Sequence, residues 1–243
     1  MLQRILITAL VSGFLGGIAI TLVQQFTTTP LVFHAEQYEN VSLSKTYSRI
    51  TSGGQEAFYL KLIHGNKGPN NLHSKAKENW LSPNGLERLM FSTLANLLTS
   101  IGFALILTGC FALSRRRVDG QVGVLWGLAG FAALSLAPAL GLPPELPGTV
   151  SADLSDRQAW WIFCVASTCI GLWVLVFRSG STRILIGVAL IALPHLTGAP
   201  QPDRIGGPIP PEISAHFVSA SIVTSALFWA STGWIAGRIW QKL

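Results

Sequence analysis

Gly141-Leu142-Pro143-Pro144-Glu145-Leu146-Pro147-Gly148 is the stretch that decides how this chain folds. Proline has no backbone N–H and fixes φ, so a helix arriving at Pro143 cannot continue through this segment. Long apolar runs flank it, from about Val122 to Leu140 before and from about Trp160 to Phe177 after. The segment therefore reads as a rigid polar link between two membrane-crossing helices. A second break, Pro194-His195-Leu196-Thr197-Gly198-Ala199-Pro200, follows a third apolar run and is expected to stop its helix at Pro194. Each break carries one ionisable side chain, Glu145 or His195, at the level of a membrane surface. Ionisable groups held there are natural places to bind or pass an ion.

Working outward, composition gives the class. Of 243 residues, 49% are hydrophobic and only 12% charged, whereas soluble domains have roughly a quarter of their residues charged. The chain is an all-α polytopic membrane protein. Its net charge of +6 is not a nucleic-acid signal, because no basic stripe with interleaved aromatics is present and topology accounts for most Lys and Arg.

A spanning helix needs about 20 mostly apolar residues. About six segments approach this: Ile5 to Phe26, Leu86 to Leu113, Val122 to Leu140, Trp160 to Phe177, Ile184 to Leu196 and Ile213 to Trp240. The fifth is short, so five spans remain an alternative. The first exceeds a signal-peptide core and no small-residue cleavage site follows cleanly, so it reads as a retained helix. With six spans, Arg4, Arg115 to Arg117, Arg178, Arg183, Arg238 and Lys242 all fall on one side. Short cytoplasmic loops carry the Lys and Arg excess, which puts both termini in the cytoplasm. The opposite short loops hold Arg157 and Arg204 with Glu145, Asp153, Asp156, Asp203 and Glu212. The single membrane domain, 1–243, then has one long extracytoplasmic loop at 27–84.

Gly13 with Gly17 and Gly233 with Gly237 have the four-residue spacing that lets helices approach closely, and Gly127 with Gly130 is a weaker case. Trp160, Trp161, Trp234 and Trp240 lie near span ends and read as interfacial anchors. Cys110, Cys164 and Cys169 fit no zinc or redox spacing and read as buried apolar residues. No His-Glu-x-x-His, Gly-x-Ser-x-Gly or phosphate-loop pattern occurs, so the chain reads as a non-enzyme without a resident cofactor. Any uphill movement must draw its energy from a partner or a gradient.

Metal-ligating residue types collect on the extracytoplasmic side. His34, Glu36 and Glu39 follow the first helix, Glu145 lies in the proline link, and His195 closes the fifth segment. Imidazole with carboxylate suits divalent transition metals. Each also has a plainer reading, as an interfacial polar group, a cap or a loop hydrogen-bonder. His64 and His73 read as solvated loop residues. Glu212 favours the first turn of its helix and shares a face with His216. Within the spans, Asn96, Thr99, Thr108, Ser135, Ser167, Thr168, Ser221, Thr224 and Ser225 are the modest polar groups, with no Asp or Glu deep in any of them.

Several motifs in order resemble the CbtA family of cobalt transporter subunits. They are Glu36 with Glu39, Trp80-x-x-Pro83-x-Gly85-x-Glu87-Arg88, the proline link at 142–148, Arg157-Gln158-Ala159-Trp160-Trp161, Pro194-His195-x-x-Gly198-Ala199-Pro200, and Phe228-Trp229. The resemblance covers nearly the whole chain. It implies a bacterial inner-membrane protein that helps import cobalt for cobalamin synthesis, beside a small single-span, histidine-bearing CbtB partner. Its cargo would be a divalent cation such as cobalt, and its surroundings membrane lipid. One departure stands out: relatives often carry a dense histidine and acid tract before the Trp-x-x-Pro motif, whereas this chain has only His64 and His73 there, with more Lys than acid. The partner would then supply the histidines, or the loop would not capture the metal, or the cargo would differ. The leading expectation is a metal-permease subunit with a transient site at His34, Glu36, Glu39, Glu145 and His195; a structural subunit that passes nothing is the alternative.

Overall fold

The fold is described by a computed structural model covering residues 1–38, 85–114, 117–202 and 206–243. Within these residues it is all-helical. Helix α1 is Leu2–Phe26 and α2 continues over residues 28–38 after a single turn residue. Then come α3 (Gly85–Leu113), α4 (Gly120–Ala139), α5 (Leu154–Phe177), α6 (Thr182–Thr197) and α7 (Pro211–Lys242). Helical structure thus extends past the expected end of the first span at Phe26. Glu39, His64 and His73 lie outside the described residues, as does Arg204.

Apolar sequence in lipid becomes helix because a helix satisfies its own backbone donors and acceptors. The ends are set by local chemistry. Asp119 caps α4 by accepting from the Val122 amide at 2.9 Å, and Asp153 caps α5 through Ser155. Pro211 occupies the first turn of α7, where its missing N–H costs nothing. Gly198, at φ +81, takes the left-handed turn that ends α6.

Helices α1, α3, α4 and α7 form the core, joined through glycine. A Cβ on Gly13 would lie 2.5 Å from the Ile101 backbone, and one on Gly17 would lie 2.9 Å from that of Leu97, which sets α1 antiparallel to α3. Gly123, Gly127, Gly233 and Gly237 bring α4 and α7 into backbone contact, also antiparallel. The expected glycine-mediated packing is therefore realised on both seams. Arg4 stacks on Trp240, 4.3 Å from the ring centroid, and donates to its carbonyl, so both termini lie at one end of the bundle.

Helices α5 and α6 form a hairpin beside this core, packed through Gly171 and Gly187. Five helices are long and apolar enough to cross a membrane, and α6, with 16 residues, is shorter. At 1.5 Å per residue it reaches about 24 Å, somewhat less than a hydrocarbon core of about 30 Å. It nevertheless runs antiparallel along α5 and returns the chain to the end opposite the termini, where Ala199 packs with Trp160.

Pro194 does not end α6, contrary to the expectation from sequence. The helix runs through it to Thr197. Trp160 Nε1 donates to the Pro194 carbonyl at 3.2 Å and Thr197 Oγ1 donates to it at 2.8 Å. These donors satisfy a carbonyl of the last turn, which the helix end leaves without an amide partner. The second departure is in α4, where Ala132–Leu136 forms a π-turn just before Pro138. A wider turn of this type absorbs a local break in the helical ladder.

The terminal end of the bundle is filled. Phe111 meets Trp126 and Trp240 edge-on at 6.2 and 5.9 Å, within a cluster that includes Leu107, Val118 and Ala236. Trp240 and Trp160 are thus buried core residues rather than interfacial anchors, whereas Trp161 and Trp234 are exposed. The indole needs apolar packing on its faces, and glycine-thinned helices leave room for it: Gly141 faces the Trp160 ring and Gly130 that of Trp229.

Candidate functional site

The motifs separated in sequence meet pairwise at the end opposite the termini. Arg88, in the first turn of α3, grips Glu36 of α2 with two hydrogen bonds of 2.6 and 3.0 Å. Arg157, in the first turn of α5, pairs with Glu145 of the proline link at 2.9 Å, and Ser151 donates to the same carboxylate at 2.5 Å. Trp160 bonds the Pro194 carbonyl and its ring stands edge-on to His195 at 5.9 Å. His195 Nε2 is buried and makes no hydrogen bond.

Two cavities open between these pairs. The first, about 430 Å³, lies between α1, α2, α3 and α7, with Arg88 in its wall. The second, about 690 Å³, lies between α4, α5, α7 and the proline link, and both Glu145 and Arg157 line it. Ser221 and Ser225 of α7 belong to both walls. Ser225 donates to Ser135 at 2.9 Å and Trp229 Nε1 donates to the same oxygen at 3.3 Å. Ser135 belongs to the π-turn, so the irregular turn of α4 places a hydroxyl where the two cavities adjoin.

Polar side chains from three helices bond one another in the first cavity's wall. Asn96 Nδ2 donates to Thr21 Oγ1 at 3.0 Å and to Gln24 Oε1 at 2.7 Å. Thr27 and Thr224 hydroxyls are 3.3 Å apart. Sequence reading singled out Asn96, Thr99, Ser135, Ser221, Thr224 and Ser225, all of which line these cavities or bond within their walls. It missed Thr21, Gln24 and Arg88 as wall-forming residues. The Gln24-Gln25 doublet closing an apolar helix was the available signal, since amides there need partners.

The expected metal-ligating residues are dispersed. His34 is exposed on α2 with its ring 5.6 Å from that of Tyr38. Glu36, two residues on, points elsewhere, because helix neighbours at that spacing do not share a face. Glu145 and His195 meet different residues of the α5 N-terminal turns, one paired with Arg157 and the other against Trp160. Among the described residues no three His, Cys, Asp or Glu come close enough to hold a metal together. What the arrangement offers is two carboxylates, each balanced by an arginine, beside two cavities, the first walled largely by neutral polar and aromatic groups and the second largely by aliphatic side chains and prolines.

The family model described as "Probable cobalt transporter subunit (CbtA)" matches residues 2–241. The chain belongs to this family. No curated protein and no solved structure matches it.

Proposed function

We propose that this CbtA-family chain is the membrane-embedded subunit of a cobalt uptake system in the bacterial cytoplasmic membrane, serving cobalamin synthesis. The observation that carries the reading is the polar cavity between α1, α2, α3 and α7, with the Glu36–Arg88 pair at its mouth. Such a chamber, in a family of transporter subunits, is where a cargo ion would enter. With both termini cytoplasmic, the cavities face the outside.

Glu36 and Glu145 are the carboxylates within reach of the entering ion. Both pairs are partly exposed, and such pairs contribute only about 1 kcal/mol or less. A divalent cation can therefore compete with the guanidinium for the carboxylate at little cost. His34, Glu39 and His195 would act as separate weak contacts for the approaching ion on the same membrane side. Single imidazoles and carboxylates bind weakly enough to release, which transport requires. A small single-span CbtB-like subunit would supply the histidines that this chain's own loop lacks.

A second reading has one observation in its favour. The terminal half of the bundle is filled by Phe111, Trp126 and Trp240, with no charged side chain in its interior among the described residues. A subunit that only anchors a complex would look like this. Radioactive cobalt uptake in a transport-deficient strain, with and without the partner, separates the two. Saturable uptake dependent on this chain supports the permease. Stable insertion with the partner present and no uptake supports the anchor.

A further inference from the structure

The hydrogen bonds around Asn96 fix which way its amide points. Thr21 Oγ1 spends its only proton on the Gly17 carbonyl, at 2.8 Å. It can then only accept from Asn96, so the nitrogen of the Asn96 amide must face Thr21. The other N–H of that group goes to Gln24 Oε1 at 2.7 Å. Both donors are used on α1, and the carbonyl oxygen Oδ1 is left without a donor among the described residues while Asn96 lines the first cavity. The same reasoning applies to Thr27, whose hydroxyl donates to the Val23 carbonyl at 2.8 Å and so accepts from Thr224. Asn96 is thereby turned with its acceptor toward the cavity.

A fixed acceptor among hydroxyls that can turn to accept, such as Thr28, Thr29, Ser92 and Thr99, suits a guest that offers O–H donors. A hydrated cation turns its water oxygens inward and offers only O–H donors outward. Small divalent ions give up that shell reluctantly, and among the described residues the first cavity has no carboxylate in its wall to replace it. Among the described residues its single lining charge, Arg88, is balanced by Glu36. Six waters occupy roughly 180 Å³ at about 30 Å³ each, well inside a cavity of about 430 Å³.

We infer that Asn96 Oδ1 is the centre of a site that binds a divalent cation with its water shell intact, by hydrogen bonds to the bound waters and not by direct coordination. This rests on the transport reading above and adds to it the form in which the ion is held. Thr21 is a positioning residue, because it keeps the Asn96 oxygen turned to the cavity.

Cobalt(III) hexaammine tests it. Its ammine ligands do not exchange and offer only N–H donors, so it can occupy an outer-shell site but not a direct-ligand site. The full chain in lipid nanodiscs is titrated with radioactive cobalt(II), with the hexaammine as competitor. The inference predicts competition in the wild type and at least tenfold weaker binding of both ions in Asn96→Leu. It predicts retained or tighter binding in Asn96→Asp, which keeps the acceptor and adds charge. Thr21→Val frees the amide to turn and should weaken both ions several-fold. Cobalt(II) binding without hexaammine competition overturns the inference but leaves the transport reading standing. Competition that is unchanged in both Asn96→Leu and Thr21→Val overturns the placement at Asn96. Absence of any cobalt(II) binding overturns both readings.

Discussion

The Arg88 guanidinium holds the Glu36 carboxylate by two parallel hydrogen bonds, 2.6 and 3.0 Å long, and so ties the start of α3 to α2. Two-pronged pairing needs the planar fork of arginine, which lysine cannot reproduce. The pair borders the first cavity, so it links the geometry of the bundle to access by an ion.

Glu36→Gln should therefore cost little stability, about 1 kcal/mol or less, yet reduce cobalt uptake at least tenfold. Thermal unfolding in detergent and uptake per inserted molecule measure the two effects separately. Equal uptake per molecule at reduced stability would make the pair purely structural.

The second pair makes a prediction of opposite signs. Arg157→Gln releases Glu145 from its counter-charge, whereas Glu145→Gln removes the carboxylate. Apparent cobalt affinity, read by equilibrium binding, should rise in the first variant and fall in the second. A fall in both would assign Glu145 and Arg157 to loop architecture alone.

Glycines differ in what surrounds them. Gly233 meets the Gly123 backbone, whereas a Cβ on Gly102 would meet nothing within 4 Å. Gly233→Val must push two backbones apart and should destabilise by about 2–3 kcal/mol. Gly102→Ala should be neutral or stabilise by up to about 1 kcal/mol. Melting of the two variants side by side checks the α4–α7 seam.

Helix α6 returns the chain across the bundle and α7 crosses back, so with a cytoplasmic N-terminus the residues after α6 should lie outside and the C-terminus inside. In a background with Cys110, Cys164 and Cys169 replaced, an impermeant thiol reagent should label Gln201→Cys from outside intact cells and Lys242→Cys only after permeabilisation. The reverse pattern, with Lys242→Cys labelled in intact cells and Gln201→Cys only after permeabilisation, would leave five crossings.

The helices themselves were legible because lipid demands long apolar runs, and the seams because Gly13, Gly17, Gly233 and Gly237 carry the spacing for close approach. The motif pairs were legible as residues but not as pairs. Nothing local in Glu36 or Glu145 says that an arginine in the first turn of a later helix will neutralise it, and without that charge each reads as a free ligand. Proline gave a firm stop at 143–147 but not at Pro194, where α6 runs on for one turn whose Pro194 carbonyl is held by Thr197 locally and by Trp160 from α5. The π-turn at Ala132–Leu136 and the amide orientation of Asn96 follow from packing between helices and leave no mark in the local pattern. Trp160 and Trp240 looked interfacial from their position along the spans; the glycine opposite Trp160 and the arginine over Trp240 drew them inward.

The most direct measurement is cobalt flux into proteoliposomes containing this chain and the proposed single-span partner, followed by a metal-sensitive dye sealed inside. An imposed cobalt gradient supplies the driving force. The account predicts saturable flux in the wild type and at least tenfold less in both Glu36→Gln and Asn96→Leu at matched reconstitution. Flux that is undiminished in both variants, or no flux from correctly folded protein, would contradict passage of the ion through the cavity between α1, α2, α3 and α7.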